Sequence, residues 1–164
     1  MDAFPFTKED WGKLVDVTLD VTNATLADDD VLRQCQFNEL LGILDELRSR
    51  YGDHPVLRET EADFEDDPLR RVELYRSALR SADEHHLPTL SIRISFARVL
   101  LEDFGDANEA AKELVACRTE LAASTDKSDI RDWSTLTRRR HWRADHNARG
   151  RDLCLGFRIP VLRH

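Results

Sequence analysis

The chain of 164 residues is predicted to be all-α, a right-handed stack of antiparallel hairpins with five to seven helices. Three observations carry the prediction. Apolar residues recur at helical spacing in nearly every segment up to Thr137. No segment alternates as a half-buried strand must, and only six glycines and five prolines interrupt the chain. Between Pro68 and Leu121 the breaks shrink to a Leu-Pro and a Gly-Asp, and such short connections force neighbouring helices antiparallel.

The first helix spans about Lys8 to Leu26. Thr7 supplies an N-cap, Glu9 and Asp10 place negative charge in the first turn, and Trp11, Leu14, Thr18, Val21 and Thr25 recur on one face. Its many β-branched residues lower helix propensity, so tertiary packing must hold it. Asp28-Asp29-Asp30 caps a second helix, about Val31 to Tyr51, with Leu40, Ile43, Leu44, Leu47 and Tyr51 on one face and Gly52 as its stop. Pro55 opens a helix of two to three turns whose inward face is read as Val56, Leu57, Thr60 and Phe64.

A fourth helix, about Pro68 to His86, buries Val72, Tyr75, Leu79 and Ala82. The fifth begins near Pro88 and carries two apolar stripes, one of Leu90, Ile94, Ala97, Leu101 and Phe104, the other of Ile92, Phe96 and Leu100. Apolar on so much of its circumference, it is expected to be the central one. After Gly105-Asp106 a sixth helix turns Ala107, Ala110, Leu114, Cys117 and Leu121 inward. A last one starts at Ser128 or Asp129 with Ile130, Trp133 and Leu136. Beyond Thr137 the periodicity disappears. The expected organisation is one helical domain over 1–137 and a basic, irregular tail over 138–164.

Charge is divided unevenly. Residues 1–129 carry a net −14 and residues 130–164 a net +6, so the body does not attract nucleic acid by itself. Three widely spaced cysteines, Cys35, Cys117 and Cys154, suggest neither a disulfide framework nor a metal clip, and fit reduced thiols in a cytoplasmic protein. No secretory signal opens the chain and no run of apolar residues is long enough for a membrane span.

Specific residues then resemble a known family. Phe96 and Ala97 look like the large-then-small pair of the first helix of a tetratricopeptide repeat, Gly105-Asp106 like its interhelical turn, and Ala110, Leu114 and Cys117 like the buried positions of its second helix. Tyr75 and Ala78 match a preceding second helix, and Pro88 the proline that opens a unit. Four features depart from the pattern: Gly105 lies one residue late, Arg71 occupies an early small site, no proline closes the sixth helix, and the segment from Pro55 to Phe64 is short for a first helix. Tetratricopeptide-like packing over about residues 55–121 stands beside another helical bundle built from the same hairpins.

The resemblance implies a non-catalytic scaffold whose groove takes a peptide or helix of a partner protein. Its lining strip on the fifth helix would be Ser91, Ser95, Arg98 and Glu102, spaced to share one face, with Arg98 as a fork for a carboxylate or phosphate. The bland alternative is a solvated face holding an Arg98–Glu102 pair. In the tail, Arg138, Arg139, Arg140 and Arg143 with Trp142 combine phosphate-directed charge with a stacking surface, the basis of a second reading as a nucleic-acid-associated adaptor. The same arginines could dock on an acidic body. Neither an enzyme nor a cofactor or metal site is expected. Asp63, Glu65 and Asp67 alternate like calcium ligands, but Pro68 and Leu74 stand where such a loop needs Gly and Glu, and capping by Asp66 or Asp67 explains them better. His85 and His86, adjacent at a helix end, read as a C-terminal cap.

Overall fold

The computed structural model describes residues 5–139, and among them every regular element is a helix. The elements are α1 (Lys8–Leu26), α2 (Asp30–Tyr51), α3 (Pro55–Phe64), α4 (Pro68–Glu84), α5 (Leu90–Glu102), α6 (Ala107–Ala116) and α7 (Arg118–Ala123), followed by helical residues 127–139, here α8. The all-α class is as read from the sequence. The helices exceed the expected five to seven because the sixth is interrupted at Cys117, whose fully buried thiol lies 3.6 Å from the Leu114 carbonyl. The described residues fall into two compact units, divided between Ile92 and Arg93.

In the first unit α1 packs along α2, and α3 along α4, with α2 joining the two pairs. Leu14, Val17 and Val21 of α1 meet Phe37, Leu40, Leu44 and Leu47 of α2 and Leu57 of α3 in one core. Burying a side chain of this size contributes about 1.5–3 kcal/mol, which offsets the weak intrinsic propensity of the valine- and threonine-rich α1. Entry to α1 is fixed twice. Thr7 Oγ1 accepts from the Asp10 amide at 3.1 Å, and Phe6, one residue before the cap, stacks on Trp11 at 5.9 Å as a hydrophobic staple.

Buried charge ties the unit together. Asp10, 4% exposed, accepts from the Tyr51 hydroxyl at 2.5 Å and pairs with Arg50 at 2.8 Å, joining the start of α1 to the end of α2. The Tyr51 bond, then that from Thr7, holds its carboxyl below the usual carboxylate range. Glu61, also 4% exposed, takes Arg48 of α2 at 2.5 Å and Arg70 of α4 at 3.0 Å. This corrects the face expected for α3. Leu57, Glu61 and Ala62 are its buried helical positions beside Pro55, while Val56, Thr60 and Phe64 are only half-buried, because two arginines make a carboxylate acceptable inside.

The acidic connections before α2 and α4 are spent on structure. Asp29 caps α2 through the Leu32 amide at 2.9 Å, Asp67 caps α4 through Leu69 at 2.9 Å, and Asp66 pairs with Arg33. Asp63 accepts from the Tyr75 hydroxyl, and Glu65 pairs with Arg70 at 3.0 Å. Burial first, and Asp63 second, push the Tyr75 phenol upward and keep it neutral.

In the second unit the remainder of α5 presents Ile94, Phe96, Ala97, Val99, Leu100 and Leu101 as buried residues, with Ala110, Leu114, Cys117 and Leu136 from the later helices. Phe104 departs from the expected stripe at 43% exposure, since α5 ends at Glu102 and the chain turns at Gly105 with φ 65°. Ala107 and Leu121 are half-buried rather than inward, and Ile130 is exposed. Trp133 donates its indole N–H to the Leu114 carbonyl at 2.8 Å, which orients α8 on α6. Cys35 is an exposed thiol and Cys117 a buried one, the latter pushed up in pKa by burial; Cys154 lies outside the described residues.

Candidate partner-binding site

The four residues read as a strip on α5 differ in surroundings. Ser91 is exposed and belongs to the first unit. Ser95 is half-buried, Arg98 reaches Asp132 of α8 at 2.6 Å, and Glu102 accepts from Arg139 at 2.6 Å. The intrahelical Arg98–Glu102 pair is therefore replaced by two pairs to α8, which approaches closely enough to offer each side chain a partner from another helix. Arg139 is held by Glu102, Arg138 is exposed, and Arg140, Trp142 and Arg143 lie outside the described residues.

Ser91 instead lines a cleft formed wholly by the first unit, a half-open space of about 870 Å³. It gathers the end of α2, the start of α3, the later turns of α4 and the first residues of α5. Its apolar side includes Tyr51, Pro55, Val56, Leu87, Pro88 and Ile92. Its polar side includes His54, Arg58, Ser77, Arg80, Ser81 and His85, together with the carboxylates Asp53, Glu59 and Glu84.

Chain breaks build this cleft. Gly52 ends α2 with φ 78°, ψ 179°, a conformation open to glycine, and the chain re-enters α3 two residues later through His54. The His54 Nδ1 accepts from the Val56 amide at 3.3 Å, so this imidazole is a neutral N-cap, and its ring meets Phe6 edge-on at 5.5 Å. Burial, then the nearby His85, lower its pKa below the ordinary imidazole value. At the far side α4 ends in a left-handed turn: His86 has φ 55°, and the Leu87 amide donates to Ala82 at 2.8 Å. His85 caps as read from the sequence, its Nδ1 lying 2.8 Å from the Ser81 carbonyl.

Those bonds constrain the chemistry. Ser81 Oγ donates to the Asp53 carbonyl at 3.5 Å and the His85 ring faces a backbone carbonyl, so the two side chains do not form the hydroxyl–imidazole bond that activates a nucleophile. Arg58 is held by Asp53 and Ser77, and Arg48 approaches Asp53 at 3.6 Å. Among the described residues no three His, Cys, Asp or Glu side chains converge as metal ligands, and no helix is long and apolar enough to cross a membrane.

The sequence pointed to Ser91 but missed the rest of the cleft. Pro55 and Pro88 were visible as helix openers, and Phe6 preceding a Thr cap with Trp11 four positions into the helix is a readable staple. Nothing local announces that His54 and His85 line one cleft. Searches against protein families, curated proteins and solved structures found no match to the chain.

Proposed function

We propose that this chain is a non-catalytic interaction module, cytoplasmic in location, whose first unit receives an extended peptide segment of a partner protein. The observation that carries the reading is the half-open cleft of about 870 Å³ with Ser91 on its wall. An apolar wall beside exposed polar groups suits a peptide: the wall buries alternate side chains, and serine, histidine and arginine side chains answer its backbone and polar groups. The tetratricopeptide-like reading of residues 55–121 belongs to this proposal, with the difference that Ser91, rather than the whole strip through Glu102, marks the receiving surface. The second reading, nucleic-acid binding through the arginine-rich tail, has less support because Arg139 is engaged by Glu102.

Display of random peptides against the full chain, followed by competition with Ser91→Trp, tests the reading. Ser91 is exposed, so an indole there obstructs the cleft without entering the core. Selected peptides should lose at least about tenfold in affinity. Peptides that bind Ser91→Trp as tightly as the parent chain would place recognition elsewhere.

A further inference from the structure

The cleft continues into a second, more open concavity of about 470 Å³ on α3 and α4, with Arg58, Ser77 and Arg80 lining both. The second space adds Arg70 and Arg76, with Glu73 as a carboxylate in its wall. Four guanidinium groups from two helices thus border one concavity of a chain whose net charge is −8. Like charges gathered this closely cost free energy unless anions offset them.

The offsets are incomplete. Arg70 is committed to Glu61 and Glu65, and the two terminal nitrogens of Arg58 to Asp53 and Ser77. Arg80 is exposed and makes no ion pair among the described residues, although Glu84 stands one turn further along α4. The Arg58 Nε is shielded from solvent and has no hydrogen-bond acceptor. Arg80, a cation without a counter-charge, and Arg58, whose inward-facing Nε lacks an acceptor, therefore line the same shared wall.

An oxyanion answers both demands. A carboxylate is satisfied by one bidentate guanidinium, whereas a phosphoryl group carries about −1.5 to −2 charges on three oxygens and draws several donors. The wall offers Arg58, Arg80 and the Ser77 hydroxyl together, the larger set. We propose that the α3–α4 arginine face seats the phosphoryl group of a phosphoserine or phosphothreonine carried by the peptide in the adjoining cleft. This rests on the peptide-binding reading of that cleft and names the chemistry of its ligand. The Arg58 side chain must rotate slightly to turn its Nε outward, a movement available to a group 31% exposed.

The test uses the full chain and a degenerate peptide library with a fixed central phosphoserine, alongside the same library with glutamate or serine there. Fluorescence polarisation reads affinity, and inorganic phosphate is titrated at constant ionic strength while amide NMR shifts are followed. Phosphoserine peptides should bind at least about tenfold more tightly than serine peptides. Arg80→Gln should abolish most of that difference, while Arg139→Gln, an equal loss of charge in the second unit, should leave it intact. Because Arg58→Gln also removes a structural pair, the exposed Arg80 carries the decision. Equal binding of all three libraries overturns the phosphoryl assignment and leaves the peptide cleft standing. Phosphate shifts centred on Ser77 and Arg80 without binding of any library support the anion site and count against the peptide cleft. Absence of both responses overturns both, and capture of single-stranded RNA in preference to phosphopeptide, lost in Arg80→Gln, overturns the assignment in favour of another ligand.

Discussion

Glu61 shows what one side chain can hold. It sits on the buried face of a ten-residue helix and reaches Arg48 and Arg70, so α2, α3 and α4 share one carboxylate. The two arginines differ: Arg48 is 24% exposed and Arg70 57%. Removing the carboxylate leaves the better-buried Arg48 with only its outer partners, Asp45 and Asp53. Glu61→Ala should therefore cost about 2 kcal/mol in urea unfolding, as loss of charged hydrogen bonds in a half-screened setting does. Arg70→Ala should cost less than about 1 kcal/mol, since solvent already screens that pair. Equal costs for the two substitutions would mean that Glu61 serves α4 as much as α2.

At the scale of elements, the helix ends position the cleft. Asp28 and His86 both occupy left-handed turns, with φ of 56° and 55°, where glycine is the usual residue. The strain is smaller at Asp28, because a short polar side chain tolerates that region. His86→Gly should raise stability by about 0.5–1 kcal/mol in thermal or urea unfolding, and no gain would show that the exposed imidazole supports the turn. The helices themselves were legible because their signals are local: the Thr7 cap, the Gly52 stop, the Pro55 and Pro68 openings and the Asp106 cap are each readable within a few residues. Inward faces were less legible. Glu61 reads as a solvent residue until Arg48 and Arg70 arrive from other helices, and Arg98 and Glu102 read as each other's partners until α8 supplies Asp132 and Arg139. Of the candidate site, Ser91 could be picked out by spacing. The cleft around it depends on the end of α2 meeting the end of α4, a non-local fact that periodicity does not carry.

For the whole molecule, two compact units each have their own buried set, and the cleft belongs to the first. The arginine face of α3 and α4 that adjoins it lies within a chain whose first 129 residues are strongly acidic, so an anionic ligand gains from local arginines against an opposing long-range field. Recognition of that kind is specific by position: a phosphopeptide must bring its charge to Arg80 to gain anything. The basic charge after residue 129 is a separate feature: Arg139 pairs with Glu102, while Arg131 and Arg138 are exposed. The most direct measurement is therefore amide NMR shift mapping of a display-selected peptide on the full chain. Perturbations should concentrate at Gly52, His54, Ser77, Ser81 and Ser91, the residues around the first unit's cleft. Shifts confined to residues 93–164, with those five unmoved, would contradict the assignment of the partner-binding face.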